Sequence, residues 1–164
     1  DLRGYLRHPG EYPLQAGMRL LDAINVSGGV QVGTDTRYSL LVRKDQKTRK
    51  IEFIQLSLAE ASANPRGDHN PVIKPEDRIY VFDAQVDRVE LIKSDIELLK
   101  SQTGYGELSP VVRIAGKVVT HCSYPMVPCM RIRYLVMAAG GMKEDAFGLS
   151  AILSRHELVD GDFY

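Results

Sequence analysis

The spacing of apolar residues changes along the chain, and each change marks a different predicted element. Short apolar runs predict strands at Gly4–Leu6 and Tyr12–Leu14. From Arg19 to Ser27 the apolar residues recur at steps of three and four, which predicts a helix. Gly28-Gly29 then predicts the end of that helix, because glycine readily takes the left-handed conformation found there.

The next segment predicts a hairpin and a closing strand. Ser39–Arg43 and Ile51–Leu56 flank the polar stretch Asp45–Arg49, as two antiparallel strands flank a loop. A short helical turn over Leu58–Ala63 and a strand over Arg78–Phe82 are expected to follow. Two strands, a helix, a hairpin and a last strand are the order of a β-grasp domain, so the pattern predicts an α+β fold.

The same pattern returns at a constant offset of 112 residues. Residues 4–43 align with residues 116–155 without a gap and share nine identities. Apolar periodicity alone does not place identical dipeptides in one register. The matched dipeptides are Tyr12-Pro13 with Tyr124-Pro125, Met18-Arg19 with Met130-Arg131, and Gly28-Gly29 with Gly140-Gly141. The sequence therefore predicts a duplicated domain, and we expect the two segments to superpose.

The second copy is predicted to contain strands Val111–Val119 and Tyr124–Val127 and a helix Arg131–Ala139. Its hairpin is expected to join Leu149–Leu158 to Asp162–Tyr164. The sequence has no second match to residues 54–82, so we expect the second copy to be truncated. The predicted division is residues 1–83 for the first β-grasp domain, 84–108 for a helical linker and 109–164 for the second domain.

The linker is predicted to contain a helix within Ala84–Ser101, because its apolar residues recur at steps of three and four. A lone helix with an apolar stripe needs a surface that covers the stripe. We therefore expect one face to be buried and the other exposed. The buried residues should be Val89, Ile92, Ile96 and Leu99, and the exposed ones Lys93, Glu97 and Lys100.

Charge and composition exclude several classes of partner. The 164 residues include 21 basic and 21 acidic side chains, so the chain carries no net charge that would attract nucleic acid or an anionic membrane. No apolar run approaches the roughly 20 residues that span a bilayer, and no signal peptide is recognisable. Because the first residues already resemble a strand, we expect the chain to be part of a longer protein.

No group of residues predicts catalysis, a cofactor or a metal site. Gly28-Gly29 follows a helix, whereas a phosphate-binding loop precedes one. His121, Cys122 and Cys129 supply three of the four ligands that a structural zinc site needs. No serine or cysteine lies in a nucleophile motif. The sequence therefore predicts a protein that is not an enzyme.

Cys122 and Cys129 are predicted not to form a disulfide bond with each other. The predicted strand Tyr124–Val127 lies between them. At about 3.3 Å per residue, seven extended residues span up to roughly 23 Å. A disulfide requires Cα atoms within about 7 Å.

Four residues at matched positions are candidates for ligand binding. Tyr12 and Tyr124 lie in the predicted second strands, and Arg43 and Arg155 lie at the ends of equivalent strands. Tyrosine and arginine side chains can stack on a sugar or form hydrogen bonds with it. The same side chains also pack on strands and cover carboxylates, so the sequence leaves both interpretations open.

Several motifs together resemble those of soluble-ligand-binding β-grasp (SLBB) domains. The stretch Gly4-Tyr5-Leu6-Arg7-His8-Pro9-Gly10-Glu11-Tyr12-Pro13-Leu14 is similar to the opening of that domain, and Met18–Ile24 is similar to its helix. Val72–Val81 resembles its closing strand, with Glu76 where glycine is usual. In the second copy His121-Cys122 replaces Pro-Gly. Two such domains with a helical spacer resemble large polysaccharide export proteins of Gram-negative bacteria.

The resemblance implies a non-catalytic module of capsule or exopolysaccharide export, located in the periplasm and associated with the outer membrane in the full-length protein. The expected partners are the polysaccharide and other export subunits or further copies of the chain. Nucleic acid, a cofactor and direct membrane contact are not expected. One alternative is a domain that binds a cobalamin-like or quinone-linked ligand, which requires a concave, mostly apolar pocket. Another is a ubiquitin-like protein-interaction module.

Overall fold

The first copy forms a four-stranded mixed sheet. The computed structural model describes residues 1–84, 88–104, 107–128, 130–148, 150–154, 158–159 and 162–163. The elements of the first copy are β1 (Leu2–Gly4), α1 (Leu20–Val26), β2 (Thr34–Lys44), β3 (Ile51–Leu56), α2 (Leu58–Ala63) and β4 (Arg78–Asp83). The strands lie in the order β1-β4-β2-β3, with β1 parallel to β4 and β2 antiparallel to both of its neighbours.

This arrangement confirms the α+β fold and most of the elements predicted in the first copy, but two strand predictions were wrong. The first strand begins two residues earlier than predicted and ends at Gly4, whose φ is +93°. Tyr12–Leu14 forms no strand. Gly10 instead makes both backbone hydrogen bonds to Leu2, and the Tyr12 hydroxyl donates to the His8 carbonyl oxygen at 2.6 Å.

The sheet is buried on both faces, because its central strands carry continuous apolar runs whose successive side chains point to opposite faces. One face packs against α1 and α2. Its buried residues include Leu41, Ile79 and Val81 from the sheet and Leu20 and Ile24 from α1. The opposite face carries the aromatic side chains Tyr38, Phe53, Tyr80 and Phe82, together with Leu40 and Val42. This second face is covered by the linker and by the second copy.

The linker helix α3 (Val89–Ser101) lies on the aromatic face of the sheet. Ile92, Ile96 and Leu99 are buried, Val89 is half-buried, and Lys93, Glu97 and Lys100 are exposed, which confirms the predicted helical face. Asp95, also on this helix, is buried and accepts hydrogen bonds from Arg78 at 2.8 Å and from the Tyr80 hydroxyl at 2.6 Å. The helix is therefore attached to the sheet by both apolar and polar contacts.

The second copy contributes strands β5 (Val111–Ile114) and β6 (Cys122–Pro125), helix α4 (Ile132–Ala138), and a short hairpin of β7 (Leu158–Val159) and β8 (Asp162–Phe163). Two strand bounds predicted for this copy were wrong: the strand predicted over Val111–Val119 ends at Ile114, two residues before Gly116 at φ +104°, and the strand predicted over Tyr124–Val127 begins and ends two residues earlier. Residues 150–154, predicted as strand, are irregular and exposed. The matched segment of copy 1 is held between β3 and β4, whereas residues 150–154 have no such neighbours among the described residues.

The backbone hydrogen bonds repeat at the same offset of 112 residues. The Leu2–Gly10 bridge recurs as Ile114–Cys122, and the Leu6–Val30 bridge recurs as Val118–Met142. Gly28 and Gly29 both have positive φ after α1, and Gly140 and Gly141 have positive φ after α4. Residues 2–30 and 114–142 therefore share one local hydrogen-bonding pattern, as the duplication predicts, whereas residues 150–154 do not repeat the strand structure of residues 38–42. The domain boundaries stay a prediction, since the apolar core is continuous across them.

Candidate functional site

A narrow groove on the first copy runs beside Tyr12. We call it the Tyr12 groove; its walls include Leu2, Met18 and Ile79, and its rim includes Tyr12 and Lys74. The cavity volume is about 70 Å³, whereas pockets for small molecules measure roughly 300–1,000 Å³. The groove can receive the edge of a larger molecule, but it does not enclose a cofactor-sized ligand.

Arg43 lies next to this groove and is used within the fold. Its guanidinium donates two hydrogen bonds to the Asp77 carboxylate, from Nε at 3.1 Å and from Nη2 at 2.6 Å, and Nη2 also donates to the Val72 carbonyl oxygen at 3.0 Å. The Asp77 side chain is fully buried and accepts a further bond from the Lys74 amide at 2.8 Å. Arg43 thus neutralises a buried carboxylate and fixes the turn that leads into β4.

The other two candidates lie elsewhere. Tyr124 is fully buried in the core shared by α3, the aromatic sheet face and the second copy. Arg155 and Cys129 lie outside the described residues. The predicted absence of a Cys122–Cys129 disulfide therefore stays a prediction. Cys122 forms no disulfide within the described part of the chain. Of the four candidates, Tyr12 lines the Tyr12 groove and Arg43 binds Asp77, another lining residue, and both side chains are half-buried.

A second, broader depression, which no sequence pattern predicted, lies at the end of α2. Its volume is about 630 Å³, and it is open to solvent. We call it the His69 hollow; its lining residues are Glu60, Ala63, Asn64, Gly67, Asp68 and His69. The clue in the sequence was the polar loop after Leu58–Ala63, but nothing local indicated that the loop folds back on the helix.

His69 is held in one orientation by two hydrogen bonds. Its Nδ1 accepts from the Ser57 amide at 3.1 Å, and its Nε2 lies 2.9 Å from a Glu60 carboxylate oxygen. Because Nδ1 acts as an acceptor, the neutral ring carries its proton on Nε2. The hollow therefore presents fixed hydrogen-bonding groups, which suit a hydroxyl-rich ligand better than an apolar one.

The described residues contain no group of three or more His, Cys, Asp or Glu side chains placed to hold a metal ion. None of the described helices is long and apolar enough to cross a membrane.

Comparison with protein families gives one match in two segments. Residues 2–52 and residues 111–162 both match the family model described as SLBB domain. Each matched segment contains the repeated bridges, glycines and helix described above. No curated protein matches the chain.

Proposed function

The chain belongs to the SLBB domain family in two copies, and from this premise we propose that it is a module of a bacterial capsule or exopolysaccharide export protein. The family is one of binding domains rather than of enzymes. The module acts by assembly into the export machinery and by contact with the polysaccharide. It works in the periplasm, where the full-length protein is associated with the outer membrane. Its domains are residues 1–83 and 109–164, joined by the linker.

The shape of the surface carries this proposal. A chain of sugars needs an open, polar surface, and the His69 hollow and the rim of the Tyr12 groove are of that kind. A cobalamin-like or quinone-linked ligand would need an enclosed, mostly apolar pocket. The Tyr12 groove is too small for that alternative, and the His69 hollow is too open.

Among the predicted ligand-binding residues, we propose Tyr12 as the polymer contact in the first copy, because its ring is partly exposed at the groove rim. Arg43 and Tyr124 are engaged inside the fold, so we expect them to support binding through structure rather than contact. Arg155 remains a proposed contact in the second copy.

A titration of ¹⁵N-labelled protein, residues 1–164, tests the proposal. The probes are a purified acidic exopolysaccharide from a Gram-negative bacterium, cut to oligosaccharides, and cyanocobalamin as the small-ligand alternative. We expect the oligosaccharide to shift amide signals near Tyr12 and His69, and cyanocobalamin to shift none. Saturable binding of cyanocobalamin would favour the alternative. A lack of shifts with oligosaccharides from several unrelated exopolysaccharides would contradict polymer contact.

A further inference from the structure

One buried arginine joins the two copies. Arg88 immediately precedes α3, and its side chain is 2% exposed. Its Nη2 donates to an Asp35 carboxylate oxygen at 2.7 Å. Its Nη1 lies 3.1 Å from the Met137 carbonyl oxygen and 3.4 Å from that of Ala138. Asp35 belongs to copy 1, and the two carbonyls belong to the end of α4 in copy 2, so one guanidinium connects both.

The surroundings of Arg88 hold it in place. Its guanidinium carbon lies 5.6 Å from the ring centres of both Tyr38 and Phe82, which favours a cation–π contact. These two rings stack on one another at 5.6 Å on the aromatic face of the sheet. Arginine suits this role because its planar guanidinium can stack on aromatic rings and can also donate hydrogen bonds in separate directions. Together Asp35, Tyr38, Phe82 and Arg88 form what we call the Arg88 cluster.

We propose that the Arg88 cluster locks the second SLBB domain against the first, so that the chain moves as one rigid body. With copy 2 docked, Asp35 is 7% exposed, and Arg88 is its buried cationic partner at 2.7 Å, whereas the Arg37 guanidinium is exposed and lies 3.8 Å away. Without Arg88, docking would bury a carboxylate that has lost its close counter-ion, whereas undocking would return that carboxylate to water. Loss of the guanidinium therefore penalises the docked state specifically.

The remaining contacts between the copies differ in kind. Tyr124, Val127 and Ala138 of copy 2 are buried in the shared core. The matched positions in copy 1 are Tyr12, Gln15 and Val26, and these are partly or largely exposed. Copy 2 thus buries at these positions an apolar face whose counterpart in copy 1 is more exposed and includes Gln15. Apolar contact favours docking in general, and the Arg88 cluster fixes its geometry through directed hydrogen bonds.

The linker helix does not depend on this cluster. It is bound to the sheet by Ile92, Ile96 and Leu99 and through Asp95 to Arg78 and Tyr80. A substitution of Arg88 should therefore release copy 2 while copy 1 and α3 stay folded together.

The test compares Arg88→Met with Arg37→Met by ¹⁵N relaxation on residues 1–164. Arg37 is the matched control, since it also pairs with Asp35, at 3.8 Å, but its side chain is 73% exposed. In the unaltered protein and in Arg37→Met we expect one rotational correlation time for amides of both copies. In Arg88→Met we expect two shorter correlation times, one for each copy, because the docking equilibrium should shift about a hundredfold or more toward the undocked state.

Amide chemical shifts of copy 1 report whether each variant is folded. If Arg88→Met does not fold, Arg88→Gln answers the same question, because glutamine is polar but carries no charge to pair with Asp35. Two correlation times in a folded Arg88 variant support the proposal. A single correlation time in a folded Arg88 variant, equal to that of the unaltered protein, would show that apolar contacts alone hold the copies together and would overturn it.

Discussion

Replacement of Arg43 by methionine should strongly destabilise the first copy. The substitution keeps an apolar stem of similar length but removes both hydrogen bonds to Asp77 and the bond to the Val72 carbonyl oxygen. Asp77 would then be a fully buried carboxylate with the Lys74 amide as its remaining neighbour in this network. The perturbation therefore leaves a buried charge without its counter-ion.

The magnitude follows from that charge. Removing one partner of a buried ion pair costs about 3–5 kcal/mol. The Arg43 side chain is 13% exposed, so water can reach the vacated space and we expect the lower end, about 3 kcal/mol. For a chain of this size, each kcal/mol shifts the melting temperature by roughly 2–4 °C. The melting temperature of Arg43→Met should therefore fall by roughly 6–12 °C.

Urea denaturation followed by circular dichroism measures the free energy of unfolding, and Lys44→Met is the matched control. Lys44 is the next residue along β2, and its ammonium lies 3.8 Å from the exposed Glu76. Pairs of that kind contribute about 0–1 kcal/mol, so the control should change little. A second variant carries both Arg43→Met and Asp77→Asn. It should recover about 1 kcal/mol or more, because the uncharged amide still accepts from the Lys74 amide.

Two results would refute this reasoning. A loss below about 1 kcal/mol for Arg43→Met would mean that the carboxylate is not held by this pair. A further loss in the double variant would mean that the charge of Asp77 is stabilised by other groups. If Arg43→Met instead kept its stability and lost oligosaccharide binding, the sugar-contact interpretation of Arg43 would be correct.

Three further outcomes can be measured. Glu76→Gly should raise the free energy of unfolding by about 0.5–1 kcal/mol, because φ is +66° at Glu76 and glycine has no Cβ penalty there. An unchanged or lower melting temperature would contradict this prediction. Gly4→Ala should lower the free energy of unfolding by about 3 kcal/mol or more, since a Cβ there would lie 2.0 Å from the Val81 carbonyl oxygen. Gly116→Ala, with φ +104° and no described atom within 4 Å of the added Cβ, should lower it by about 1–2 kcal/mol. Equal losses for the two variants would refute the comparison. Burial, and then the hydrogen bond to Asp95, raises the pKa of Tyr80 to about 12 from 10.0, so the folded form holds its proton more tightly than the unfolded form. The resulting stability is complete below pH 10 and is lost as the pH approaches 12, and urea titrations from pH 9 to 11.5 should show a smaller alkaline loss for Tyr80→Phe than for the unaltered protein.

The sequence predicted features that depend on local patterns. Gly28-Gly29 and Gly140-Gly141 revealed the duplication because the end of each helix needs positive φ there. The linker helix was predictable because the period of Ile92, Ile96 and Leu99 is a property of the segment itself.

Features that depend on distant contacts were not predictable. Arg88 contacts Asp35, 53 residues before it in the sequence, and Met137, 49 residues after it. No local spacing indicates either contact. Tyr12–Leu14 has the composition of a strand, but Gly10 takes the position beside Leu2. In both cases tertiary contacts, rather than propensity, decide the outcome.

The two-sided burial of the first sheet has a consequence for synthesis. Its aromatic face, which carries Tyr38, Phe53, Tyr80 and Phe82, is covered by residues that follow β4 in the chain, from Ile92 to Ala139. Ribosomes add about 5–20 residues per second, so synthesis of these covering residues takes several seconds. The aromatic face stays exposed to solvent during that time. During that interval the nascent chain exposes a continuous aromatic surface beside the edge strand β3, a combination that favours aggregation. Chaperone capture of the nascent chain should therefore peak after β4 emerges and fall once α4 has emerged.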